Sequence, residues 1–132
     1  MMIAGIGCRR GTSAETVMAV LEEALAAAGK TGERPARLAT GTLKADEAGL
    51  LEAAARLKLD LAILTEAEME AVSDRTLTVS PHSVGHAGVS SFCEAAALAA
   101  GGASARLLGP RHVSQGVTCA LAMTEDETED AA

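Results

Sequence analysis

The sequence predicts an α/β fold: three layers, α/β/α, around a mostly parallel, mixed sheet. Three observations carry that expectation. Short apolar runs alternate with segments whose apolar residues recur every three or four positions, in the order strand–helix–strand–helix–strand–helix. Apolar residues make up 48% of the 132, but they are mostly Ala, Leu and Val, with Phe92 the only aromatic. Small side chains let helices sit close to a sheet, which suits layered packing. Two further apolar runs near the end read as an antiparallel pair, which makes the sheet mixed. One domain, residues 1–123, is expected, followed by an acidic, disordered tail at 124–132.

Met1 to Gly7 reads as a buried strand. Thr12 to Ala28 follows as a helix, with Thr12 and Glu15 in the spacing of a capping box and Val17, Val20, Leu21, Ala24 and Leu25 on one face. Gly29 is its stop. Ala36 to Thr40 is the second strand, and a polar turn from Gly41 to Glu47 leads into a helix over Glu47 to Leu57. Leu61 to Leu64 is a third strand. Thr65 and Glu68 form a second capping box, opening a short helix that ends near Val72. Thr76 to Val79 is a candidate small strand, and Ser80 to Gly88 is loop. Ser91, three residues before Glu94, opens a fourth helix that runs to Ala100 and stops at Gly101-Gly102. Ala105 to Leu108 and Val117 to Met123 are the closing strands, with Gly109-Pro110-Arg111-His112 turning between them.

Charge and composition narrow the function. With the five acids Glu125, Asp126, Glu127, Glu129 and Asp130 set aside, the formal charge falls from −7 to −2. The body can therefore carry a local basic patch, while the overall sign argues against nucleic acid and anionic membranes as partners. A chain with one aromatic residue also lacks the stacking platforms that grip single strands. Cys8, Cys93 and Cys119 form no CxxC pair, so reduced thiols in a cytoplasmic protein are expected, with no metal and no cofactor. The short apolar start is not a signal peptide, and no run approaches a membrane span.

The turn Gly5-Ile6-Gly7-Cys8-Arg9-Arg10-Gly11 carries the most chemistry. A strand ends, glycines and arginines follow, and a helix begins at Thr12-Ser13. Helix N-termini favour anions, glycine permits close backbone approach, and each arginine can fork onto a carboxylate or phosphate. The string is neither a Walker loop nor GxGxxG, since Arg10 holds the third glycine position. An anion cradle and a tight turn with solvated arginines both fit. In a parallel sheet the next turn opens at the same edge, which would bring Lys44 beside Arg9 and Arg10, with Asp46 read as a helix cap. Gly88 to Ser91 is a second Gly/Ser turn whose Ser90 and Ser91 offer donors or a cap. The candidate ligand-binding set is thus Gly7, Cys8, Arg9, Arg10, Gly11, Thr12, Ser13, Lys44, Asp46, Ser90 and Ser91. Cys8 reads either as a thiolate lowered by its arginine neighbours or as a small packed residue. His82 and His86 read either as a metal pair lacking a third ligand or as surface loop residues.

The string from Gly5 to Glu15 closely resembles the opening of the CobE / CbiG C-terminal domain family of cobalamin biosynthesis. Leu38-Ala39-Thr40 with Leu43-Lys44-Ala45-Asp46-Glu47-Ala48-Gly49-Leu50 is similar to its second block. Gly88-Val89-Ser90-Ser91-Phe92-Cys93-Glu94-Ala95 is similar to its third, and Gly116-Val117-Thr118-Cys119-Ala120-Leu121-Ala122 to its closing strand. The resemblance covers about residues 2 to 123. It departs at Gly109-Pro110-Arg111-His112, where the family usually has a lysine and Arg111 is the available charge. In the anaerobic route such a domain is fused behind another, and the whole opens the lactone ring of cobalt-precorrin-5A. With no such domain ahead of it, the chain resembles the stand-alone members of the oxygen-dependent route. The resemblance implies a protein that binds a precorrin, a tetrapyrrole intermediate, around ring contraction and C20-carbon loss. Two alternatives stand beside it. One is a hydrolase or lyase using Cys8, Glu15, Asp46 or a loop histidine. The other is a module that docks on other corrin-pathway enzymes, the precorrin methyltransferases. A homodimer is compatible with each.

Overall fold

A computed structural model describes residues 1–42, 47–76 and 92–124. Strand β1 spans Met2–Cys8, helix α1 Ala14–Ala27, β2 Arg37–Gly41, α2 Ala48–Leu57 and β3 Asp60–Leu64. Helix α3 spans Glu66–Glu70, a 3-10 turn follows at Ser73–Arg75, and α4 spans Phe92–Gly101. Strands β4 (Arg106–Leu107), β5 (His112–Ser114) and β6 (Val117–Met123) complete the chain. The sheet order is β3-β2-β1-β6-β4, with β5 also paired to β6. Strands β1, β2 and β3 pair in parallel, whereas β6 pairs antiparallel with β1, β4 and β5. Five of the six described strands therefore share one direction and β6 runs against them, the mixed, mostly parallel sheet the sequence predicts.

The two faces follow the strand period of two. Met2, Ala4, Ile6 and Cys8 of β1 and Val117, Cys119 and Leu121 of β6 join the core beneath α1 and α2. Ile3 and Ala122 join the other core, with Ala95, Ala96, Ala97 and Leu98 of α4 and Met69 of α3. Helix α4 rides unusually low on β1. A Cβ on Gly5 would lie 2.0 Å from the Cys93 carbonyl oxygen, and one on Gly7 would lie 2.8 Å from Thr118 Oγ1 and 3.2 Å from Phe92 Cδ1. Gly41 on β2 meets the same Phe92 ring at 2.8 Å. The paucity of large side chains is thus the condition for this contact: alanines on the helix face glycines on the sheet. It also sets direction. Phe92 lies over Gly7 while Gly101 lies against Ile3, so α4 runs opposite to β1 and starts at the carboxyl edge of the sheet.

Several local expectations change. The N-cap of α1 is Ser13, whose Oγ accepts from the Thr16 N–H at 3.2 Å. Thr12 instead donates to the Arg9 carbonyl at 2.6 Å, so the Thr12–Glu15 capping box does not form. The Thr65–Glu68 box does form, with both reciprocal bonds present. The N-cap position of α2 falls on Glu47 rather than Asp46. The turn expected at Gly109 to His112 is a break in an edge strand. Leu107 faces Ala122 and His112 faces Cys119, so the edge advances five residues while β6 moves three. The two extra residues make a bulge at Gly109-Pro110-Arg111, consistent with a proline at a sheet edge. Lys44, Asp46, His82, His86, Ser90, Ser91, the Leu77–Val79 part of the small-strand candidate and the acidic tail from Glu125 lie outside the described residues.

Candidate functional site

The carboxyl ends of β1 and β2, the start of α1 and the start of α4 meet at one edge of the sheet. Arg9 and Arg10 stand there, both exposed, directly after β1. Their turn is held from three sides. The Arg9 N–H donates to the Gly116 carbonyl at 3.1 Å, and the Arg9 carbonyl accepts from the Thr12 N–H at 3.2 Å and from its hydroxyl. The Gly11 N–H donates to Glu47 Oε1 at 2.7 Å, which ties the first turn to α2. Gly49 closes that contact, since a Cβ there would lie 1.9 Å from the Thr12 carbonyl oxygen. Gly11 has φ +82°, a left-handed conformation that a residue with a Cβ adopts at a cost. Beneath the turn, the buried Thr40 hydroxyl donates to the Ile6 carbonyl at 2.8 Å and locks β2 to β1.

This geometry redistributes the sequence-predicted roles. The structure brings Gly7, Arg9, Arg10, Gly11, Thr12 and Ser13 together at the edge. Gly5 and Gly7 make room for α4 and Phe92, so their missing side chains serve packing. The Gly11 N–H is committed to Glu47 and Ser13 to capping α1. Glu15 occupies the helix start as well: its carboxyl is held below the ordinary value first by a backbone hydrogen bond and then by Arg56, which it meets at 2.8 Å. Arg9 and Arg10, rather than the α1 terminus, are therefore the groups of the turn that could meet an anion. Cys8 is 7% exposed and its side chain joins the α1-side core, which fits the packed reading of this thiol. Cys119 is buried, and burial followed by the nearby Cys93 pushes its thiol pKa up. Among the described residues no cluster of three or more His, Cys, Asp or Glu could hold a metal.

Two acidic residues whose long-range partners spacing alone did not reveal now matter. Glu47 is the first, through Gly11. Glu94, in the first turn of α4, is fully buried and its Oε2 accepts from the Arg111 N–H at 2.9 Å. It pins the bulge before β5, and β5 in turn forms the hairpin that carries Gly116 to Arg9. Glu23 on α1 holds the same strand from the other face, meeting His112 Nε2 at 2.9 Å and hydrogen-bonding Ser114. Replacing Glu94 with Ala leaves the half-buried Arg111 N–H without that acceptor. We expect a loss of about 2 kcal/mol in chemical denaturation. Exchange of the β5 amides should rise more than exchange of the β1 amides.

The architecture is that of an open α/β domain, a class that binds ligands outside the carboxyl ends of its strands. Residues 2–122 match the family described as cobalamin synthesis G C-terminus, and the chain belongs to that family. It is 34% identical over 121 residues to Protein CobE of Sinorhizobium sp., covering 92% of this chain and 79% of that protein. Its fold matches the crystal structure of CobE, a protein from the cobalamin (vitamin B12) biosynthetic pathway, with a TM-score of 0.86. Identity to that structure is 38%, over 95% of this chain and 92% of that one. Cobalamin biosynthesis protein chiG from Agrobacterium tumefaciens str. C58 is 48% identical over 96% of this chain and its whole length, with a TM-score of 0.77.

Proposed function

We propose that this chain binds a precorrin intermediate at the carboxyl edge of its sheet and acts in the cytoplasm as a carrier or helper around ring contraction and C20-carbon loss. The family membership supports the pathway. The single observation that supports the site is the pair of exposed arginines on a turn fixed by Gly116, Thr12 and Glu47. A precorrin is an apolar macrocycle ringed by acetate and propionate groups. Guanidinium groups suit such carboxylates, because a planar fork loses little side-chain freedom per hydrogen bond formed. Lys44 precedes α2 in the sequence and Ser90 and Ser91 precede α4, so they are proposed as the remaining polar contacts. Cys8 and Glu15 do not favour a hydrolase: the first is packed in the core and the second is paired with Arg56. No helix among the described residues is long and apolar enough to cross a membrane.

A titration of the purified protein with pathway precorrins, followed by the tetrapyrrole absorbance, tests the reading. A spectral shift that saturates and then holds steady is expected. A spectrum that keeps evolving toward a new chromophore would identify an enzyme. No shift with any intermediate would leave docking on pathway enzymes as the better account.

A further inference from the structure

The β5–β6 hairpin tip touches the arginine turn, and its sequence is costly for its shape. Gln115 and Gly116 link Ser114 to its partner Val117, and both have positive φ, +52° and +78°. That pairing is the left-handed hairpin turn usually given to Asn-Gly or Gly-Gly. Glutamine has a Cβ and no short polar arm to ease the conformation, so its backbone is strained here. The other described non-glycine residue with positive φ is Lys58, and it closes α2 by donating its N–H to the Ala54 and Ala55 carbonyls. The hairpin sets the positive φ of Gln115 in the same way, but that turn is met at lower cost by asparagine or glycine, and Gln115 is exposed.

The tip is also held still. Glu94 fixes the strand at Arg111, Glu23 fixes it at His112 and Ser114, and the Gly116 carbonyl receives the Arg9 N–H. A Cβ at Gly116 would lie 3.0 Å from Arg9 Cδ, so the glycine lets the tip pack against the arginine stem. An exposed amide beside Arg9, on an anchored turn whose backbone asparagine or glycine would adopt at lower cost, is an expense the hairpin does not require of its sequence.

We propose that the hairpin tip forms a further wall of the tetrapyrrole site and that Gln115 contacts a peripheral carboxyl group of the ligand next to Arg9. The inference rests on the precorrin-binding reading. An amide donates to a carboxylate without adding charge, so Arg9 supplies attraction and Gln115 supplies direction. Specificity then follows from geometry: a ligand must place a carboxyl group within reach of both residues.

Gln115→Gly and Gln115→Glu separate the possibilities, with a purified precorrin and a metal-free corrin bearing free carboxyl groups as probes. Gln115→Gly relieves the strain, so its melting temperature should equal or exceed that of the parent, while affinity falls at least fivefold. Gln115→Glu places an anion against the ligand's carboxylates and should lower affinity at least tenfold. Parent-like affinity in Gln115→Gly, with the parent itself binding, overturns the role of Gln115 and leaves the site reading intact. Failure of the parent to bind either probe overturns both.

Discussion

Gly5→Ala is expected to destabilise the protein by about 3 kcal/mol, at the upper part of the range for overpacking a core. The new methyl group would sit 2.0 Å from the Cys93 carbonyl oxygen, with the Ala97 N at 2.9 Å and its Cβ at 3.0 Å. The first contact is with helix backbone, so no side-chain rotation relieves it. Helix α4 must lift from β1, and with it the Phe92 ring that covers Gly7 and Gly41. Urea denaturation measures the loss. Gly11→Ala makes a useful comparison: no atom lies within 4 Å of its Cβ position, so only the left-handed backbone is penalised. That variant should cost about 1 kcal/mol. Equal stability of Gly5→Ala and the parent would show that α4 does not press on β1 as described.

The second large effect concerns binding. Changing both Arg9 and Arg10 to Ala should weaken precorrin binding by about 3 kcal/mol, roughly a hundredfold in Kd. Each charge-assisted pair contributes roughly 1.5–3 kcal/mol, and solvent exposure of the arginines argues for the low end. The fold should survive, because Arg9 holds the turn through its backbone N–H and carbonyl, which alanine retains. A melting temperature close to the parent's, together with lost affinity, is the expected pair of results. Steeper loss at low salt than at high salt would identify the electrostatic part. Unchanged affinity would remove the arginines from the site.

Much of the architecture was legible because its signals are local. The three-and-four spacing of Val17, Val20, Leu21, Ala24 and Leu25 marks the buried face of α1, and all five are buried. Thr65 and Glu68 announce their capping box at a distance of three residues. The parts that were not legible depend on partners far along the chain. Gly5 and Gly7 read as a pattern for close backbone approach to a ligand, since a sequence shows only that a Cβ is absent. The structure shows that the atoms forbidding it belong to Cys93, Phe92 and Thr118. Strand β5 was hidden by Gly109-Pro110, which reads as a turn but here makes a bulge in an edge strand. At the site, Arg9 and Arg10 were visible from composition and position. Glu47 and Glu94 were not, because each acts on a backbone N–H in another element, Gly11 and Arg111. Such long-range acceptors leave no spacing to read.

The location of the ligand can be separated from a rival place on the same molecule. A cavity of about 320 Å³ lies near the opposite edge of the sheet, lined by Met18, Leu21, Leu25, Pro35, Leu57 and Leu59 among others. It is largely apolar, with Arg34 at its rim already hydrogen-bonded to the Leu57 carbonyl. A tetrapyrrole held mainly by its carboxylates belongs at the arginine turn, and one held mainly by its apolar face would favour this cavity.

Amide hydrogen exchange with and without a bound precorrin tests that placement most directly. The account predicts new protection at Arg9 to Ser13, at Gln115 and Gly116, and at the first turn of α4, with Thr31 to Arg34 and Leu59 unchanged. Protection confined to Thr31 to Arg34 and Leu59 would contradict it and move the site to the apolar cavity.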